Sequence, residues 1–148
     1  MKLGIAADHG GFELKEVLIS YLKTLDYELK DFGAFVMDKT DDYPDFIIPL
    51  AKAIQNKEID RAIAVCGSGV GASVVANKIP GVRAALITEH FSAHQGVEDD
   101  DLNMICLGGR ITGLNSAQEL VKAFLEADFS KEERHVRRLK KITALENI

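Results

Sequence analysis

The sequence predicts an α/β fold: a doubly wound, Rossmann-like parallel sheet of about five strands with helices on both faces. Three observations carry this. Short, continuously apolar runs alternate with amphipathic stretches at helical spacing. Glycine-rich turns follow the first, third and last of those runs. At 148 residues the chain suits one domain, 1–148, built on a single core. Right-handed βαβ crossovers between such runs make the strands parallel.

Leu3 to Ala7 reads as the first strand, Asp8-His9-Gly10-Gly11 as its turn, and Leu14, Val17, Leu18, Tyr21, Leu22 and Leu25 as the apolar face of a helix. Glu28 to Phe32 is the second strand. Phe46, Ile47, Leu50, Ala51 and Ile54 mark a helix after Pro44. Ala62 to Val65 is a buried strand, and Gly67 to Gly71 turns into a helix over Ala72 to Lys78, stopped by Pro80 and Gly81. A strand from Ala84 to Ile87, a short helix near Phe91 to Val97 and a strand from Met104 to Leu107 follow. Helices over Ser116 to Ala127 and Lys131 to Glu146 complete the pattern.

Bulk properties exclude several classes. A net charge of −5 argues against a nucleic-acid protein, because phosphate backbones select basic faces. The exception is a cationic patch between Lys131 and Lys141, which a solvated helix face would also explain. No apolar run approaches the ~20 residues of a membrane span, and Asp8 and His9 come too early for a signal peptide. Cys66 and Cys106 each follow an apolar run, so reduced thiols and a cytoplasmic location are expected.

In open α/β sheets ligands sit outside the carboxyl ends of the strands, where the loops Asp8-His9, Cys66 to Gly71 and Gly108 to Arg110 converge. The loop amides of Gly67, Ser68, Gly69, Val70 and Gly71 can cradle an oxyanion, and they favour the thiolate of Cys66. Glycines chosen only for a tight turn, and a cysteine that is only a small hydrophobe, are the structural alternatives. Asp8 and His9 can shuttle protons between oxygens of a bound ligand or cap a helix. Tyr43 before Pro44 fits turn packing as well as a site role. Arg110, and Arg134 and Arg138 four residues apart on one helical face, suit bidentate phosphate contacts. Gly67, Gly69 and Ala72 also satisfy a dinucleotide fingerprint, with Glu89 about 20 residues on, so a nucleotide-binding module is the rival reading. No metal-ligand spacing stands out.

The segments Asp8-His9-Gly10-Gly11-Phe12-Glu13-Leu14-Lys15, Asp42-Tyr43-Pro44-Asp45, Cys66-Gly67-Ser68-Gly69-Val70-Gly71, Ala76 to Ala85 and Arg134-His135-Val136-Arg137-Arg138 together resemble the ribose-5-phosphate isomerase B family, which includes the galactose-6-phosphate isomerase subunits. The resemblance spans nearly the whole chain. It implies an aldose-ketose isomerase acting through an enediol, with Cys66 as the base and the Gly67 to Gly71 amides, with Ser68, at the enediolate. Asp8, His9 and Tyr43 would contact the sugar, and Arg110, Arg134 and Arg138 its phosphate. It also implies no cofactor or metal, and a homodimer or dimer of dimers whose C-terminal helix packs on a partner subunit to share active sites.

The segment that usually reads Glu-His-Asn-Asp-x-Asn is here Glu98-Asp99-Asp100-Asp101-Leu102-Asn103. Asp99 thus stands where the family has its ring-opening histidine, Asp100 takes the neighbouring substrate-binding position, and Asn103 is kept. Glu132-Glu133 replaces the usual Gly-Gly. Added carboxylates repel an anionic substrate unless they are paired or held outside the pocket. Ribose 5-phosphate is the first expectation, with His94 as another proton shuttle. Erythrulose 4-phosphate, which has no ring to open, allose 6-phosphate, and galactose 6-phosphate in a mixed complex are the alternatives.

Overall fold

The computed structural model describes residues 1–147. Five parallel strands form one sheet: β1 (Lys2–Ala7), β2 (Glu28–Asp31), β3 (Arg61–Cys66), β4 (Ala84–Leu86) and β5 (Met104–Gly108), in the order β2-β1-β3-β5-β4. The helices are α1 (Phe12–Leu22), α2 (Tyr43–Gln55), α3 (Val70–Ala76), α4 (His90–Asp100), α5 (Leu114–Glu126) and α6 (Glu133–Ala144), followed by a 3-10 turn over Leu145–Asn147. Among the described residues no helix is long and apolar enough to cross a membrane.

Strand alternation divides the core in two. Leu3, Ile5, Ile63, Val65, Ile105 and Leu107 point to the face covered by α1, α4 and α5. Ala6, Ala62, Ala64, Cys66, Met104 and Cys106 point to the face covered by α2 and α3. The second set is small, so α2 and α3 can lie close to the sheet, and Cys66 projects toward them. The strand order reverses between β1 and β3, and a crevice opens at such a switch point outside the carboxyl ends.

The boundaries depart from the sequence reading where local hydrogen bonds decide. Helix α4 is longer than Phe91 to Val97. Glu89 accepts the Ser92 amide at 3.0 Å to cap its start, and Asp101 ends it in a left-handed conformation at φ 49°. The acidic run Glu98 to Asp100, which looks like loop in sequence, forms its last turn, with Glu98 and Asp99 half-buried and Asp100 exposed, laced by His94–Glu98 and Gln95–Asp99 bonds one turn apart. Helix α6 starts at Glu133 rather than Lys131, because Lys131 is left-handed at φ 58°.

Candidate active site

Three loops meet at the carboxyl edge of β1, β3 and β5, closely enough that main chain touches main chain. A Cβ on Gly10 would meet the Gly67 amide at 2.9 Å, one on Gly11 the Val65 carbonyl oxygen at 2.5 Å, and one on Gly108 the Ser68 backbone at 2.8 Å. Only glycine fits at these approaches. Gly109 and Arg110 donate their amides to the Cys66 and Gly67 carbonyls at 2.8 and 3.0 Å, which ties the third loop to the second.

Cys66 ends β3 and is 4% exposed. The chain then turns through Gly69, left-handed at φ 83°, and this turn aims the Gly69 amide at the Cys66 sulfur, 3.1 Å away. Ser68 Oγ accepts the Val70 amide at 3.3 Å. The amides of Gly67 and Ser68 meet no acceptor among the described residues. Tyr43, in the first turn of α2, lays its ring where a Gly71 side chain would be, 2.7 Å from the Cβ position, and its hydroxyl has no partner among the described residues. The Arg110 guanidinium lies 3.5 Å from where a Gly67 Cβ would sit. Cys106 is a different thiol: burial, and secondarily Cys66, push its ionisation far up.

Asp8 and His9 leave the end of β1 in different roles. Asp8 is buried, and its Oδ1 accepts the Gly10 and Gly11 amides at 2.9 and 3.2 Å, shaping the turn into α1. His9 is about a quarter exposed (26%) and pairs with a residue the sequence reading overlooked, Asp41. Asp41 Oδ1 takes the His9 ring Nδ1 at 2.6 Å and the His9 amide at 3.0 Å. That bond holds the imidazole above its ordinary ionisation range, helped by Asp8 and opposed by partial burial and Arg110. Ligand atoms of Asp8, His9 and Asp41 lie within 4.8 Å of one another, the one such grouping among the described residues, and hydrogen bonds account for their closeness.

The remaining candidates lie elsewhere. Asp99, Asp100 and Asn103 are at the end of α4 and the entrance to β5, the amino edge of the sheet. Strands of five or six residues, at ~3.3 Å each, separate the two edges by roughly 16–20 Å. Asp99 accepts from Gln95 Nε2 at 2.7 Å and lies 3.5 Å from Nε2 of buried His135. Asn103 bridges Arg83 and Gly81, its Oδ1 taking the Arg83 amide at 2.8 Å and its Nδ2 reaching the Gly81 carbonyl at 2.9 Å. Arg134 pairs with Glu132 at 3.1 Å and donates to His135, whereas the Arg138 side chain is exposed with no partner among the described residues. A cavity of about 580 Å³ also lies at this edge and is lined by Arg83, Asp100 and Ile142 but by none of the Cys66 cluster.

Glu89 argues against the dinucleotide reading. Its carboxylate caps α4, and it follows β4, which β5 separates from β3. The ribose-binding acid of that fingerprint ends a strand adjacent to the glycine loop. His94 is held by Glu98 at 3.0 Å and packs against His90 and Phe91. A second residue missed in the sequence is Lys15, fully buried, with its ammonium 2.8 Å from Asp31 and 2.9 Å from Glu16. Its position on a helix reads as solvated, and nothing local betrays its burial.

The model of the ribose/galactose isomerase family matches residues 3–142. The chain belongs to that family. It is 37% identical over 145 residues to ribose-5-phosphate isomerase B of Escherichia coli, covering 98% of this chain and 96% of that one. It is 32% identical over 148 residues to D-erythrulose-4-phosphate isomerase 2 of Mycolicibacterium smegmatis, covering 99% and 97%. The fold superposes on ribose-5-phosphate isomerase B of Clostridium thermocellum with a TM-score of 0.95 at 42% identity, covering 99% and 98%. It also superposes on the Mycoplasma genitalium ribose-5-phosphate isomerase B structure with bound ribulose 5-phosphate, with a TM-score of 0.93 at 37% identity, covering 99% and 96%. The resemblance read from the motifs is thus met at the level of the whole ribose/galactose isomerase fold.

Proposed function

We propose that this chain interconverts ribose 5-phosphate and ribulose 5-phosphate through an enediol, with Cys66 as the base. The observation that carries this is the Gly69 amide on the Cys66 sulfur at 3.1 Å, at the sheet's switch point. Cys66 takes the proton from carbon 2 of the opened aldose and returns one to carbon 1. The free amides of Gly67 and Ser68, with those of the first turn of α3, hold the enediolate oxygens, and Ser68 Oγ stands beside them. Asp8, His9 and Tyr43 face the sugar hydroxyls, and Arg110 faces the phosphate end. Relatives named for ribose 5-phosphate, one of them holding ribulose 5-phosphate, support this choice of sugar.

Asp100, Asn103, Arg134 and Arg138 cannot reach Cys66 of the same chain, because they belong to the other sheet edge. The reading therefore includes a homodimer in which α6 packs on a partner and each chain lends these residues to the other's site. Exposed Ile142 and Leu145 on the C-terminal segment suit such packing. The setting is the cytoplasm, without nucleic acid, membrane, cofactor or metal.

A panel of four-, five- and six-carbon sugar phosphates tests the reading with the purified protein. Ribose 5-phosphate should give the highest kcat/KM. Turnover of none of them, or only of a four-carbon ketose phosphate, would replace it.

A further inference from the structure

We propose that His135, as a neutral imidazole, is a positioning residue that holds Arg134 ready for the substrate's phosphate. The proposal deepens the isomerase reading above, in which Arg134 meets that phosphate, and rests on it. His135 lies in the first turn of α6 and is only 3% exposed, while Arg134 beside it is open to solvent. Buried ring nitrogens need partners, and the partners fix which nitrogen carries the proton. Arg134 donates its Nε–H to His135 Nε2 at 3.2 Å. A guanidinium only donates, so Nε2 is the bare nitrogen. The proton is therefore on Nδ1, 2.6 Å from Ser130 Oγ, which also accepts the Glu132 amide at 3.3 Å. Ser130 is anchored in turn, its own amide donating to the Glu98 carbonyl near the end of α4 at 3.0 Å. A continuous line of bonds thus runs from the main chain of α4 through Ser130 and His135 to the guanidinium.

Arg134 has a second hold of a different kind. The Glu132 carboxylate lies 3.1 Å from its Nη2, and both side chains of that pair are exposed. An exposed pair is worth little and exchanges readily. A phosphate, with close to two charges and three acceptor oxygens, can take the place of Glu132 but not of the buried imidazole. With Nε kept by His135, the two outer nitrogens are presented side by side, the fork that suits two phosphate oxygens.

The charged groups around the ring are Glu132 and Arg134 at the start of α6 and Asp99 on α4. Asp99 Oδ1 is 3.5 Å from Nε2, and a carboxylate, like a bare Nε2, only accepts. A proton on Nε2 would turn to Asp99, and Arg134 would lose its hold. The ring protonated on Nδ1 alone is the form that keeps the arginine in place.

Two measurements test this. Nitrogen NMR of the imidazoles in the unmodified, full-length protein at neutral pH should find the His135 proton on Nδ1 and Nε2 bare. A proton on Nε2 overturns the proposal, and this result needs no variant to fold. In turnover of ribose 5-phosphate, His135→Leu should raise KM roughly tenfold with kcat nearly unchanged, and His135→Gln, whose amide oxygen can replace Nε2, should recover most of that loss. In an Arg134→Ala background His135→Leu should change KM by less than about twofold, because the residue it positions is gone. An equal effect with and without Arg134, or a loss confined to kcat, means that His135 only supports the fold and overturns the proposal. If Arg134→Ala raises KM and His135→Leu does not, the positioning role alone falls. If Arg134→Ala leaves KM unchanged, or the unmodified protein turns over no sugar phosphate, the reading beneath it falls as well.

Discussion

The amide of Gly69 donates its hydrogen to the sulfur of Cys66 across 3.1 Å, three residues back along the chain. The contact exists because Gly69 alone in that loop is left-handed, at φ 83°. If Cys66 is the base proposed above, Cys66→Ala should lower kcat by ~10²-fold or more while leaving sugar-phosphate binding within a few-fold, since the proposed phosphate contacts are kept. Calorimetry beside a turnover assay checks both halves. Cys106→Ala should leave turnover intact and cost about 1 kcal/mol of stability from the small cavity it opens.

Gly69→Ala should be worse for the fold than Cys106→Ala. A Cβ there would sit 2.6 Å from Leu86 Cδ1 and 2.9 Å from the Leu107 carbonyl carbon, in a conformation that already disfavours side chains. About 1–3 kcal/mol of destabilisation follows, read as a fall of several degrees in Tm. Activity should drop as well, because the turn that aims the amide would shift.

His9 gives a pH signature with a defined sign. Its ionisation is raised in the folded chain, chiefly by Asp41, so the folded state holds the proton more tightly than the unfolded one. The stability from this pair is fully present below the unfolded value of about 6.5 and is lost as pH rises through the folded value. Histidine NMR should find the His9 titration above that of an unfolded peptide. Asp41→Asn should bring it down and flatten stability over the same interval.

Asp99, which accepts from Gln95 in the last turn of α4, lies 3.5 Å from His135 Nε2, the atom to which Arg134 donates, and so lines the place where that arginine is held. Asp99→Ala should raise KM a few-fold with little change in kcat, as expected for partly exposed contacts worth up to ~1 kcal/mol. A large drop in kcat would instead put Asp99 in the chemistry.

If two chains share each site, Cys66→Ala and Arg138→Ala should complement each other. After the two inactive proteins are unfolded together and refolded, half the dimers are mixed and one site in each is intact. About a quarter of full activity should return. Continued inactivity would mean that both residues serve one chain's own site.

The strands and their three glycine loops are legible in the sequence because buried parallel strands are continuously apolar and close main-chain approaches demand glycine. Helix α4 runs beyond its apolar pattern because Glu98 to Asp100 have the composition of a polar loop, and only the Glu89 cap and the left-handed Asp101 reveal the extra turn. Asp41 was hidden among Asp38, Asp41 and Asp42, three acids that composition cannot rank. Its partnership with His9 spans 32 residues and depends on how the loop after β2 folds over β1. The acids near position 99 raised an expectation of repulsion. Asp99 accepts from Gln95, and both Asp99 and Asp100 stand an entire strand length from Cys66 of their own chain.

Because Gly10, Gly11, Gly108 and Gly109 leave no room for side chains where the three loops touch, the floor of the crevice is made of peptide groups. Peptide groups are the same whatever residue bears them, so the amides proposed as oxyanion donors there are insulated from most substitutions. Change in such a site is channelled to the side chains around its border, Tyr43, Ser68 and Arg110 among them, and to whatever a neighbouring chain presents. A search for the determinants of sugar choice in this chain should begin at that border rather than at the cysteine.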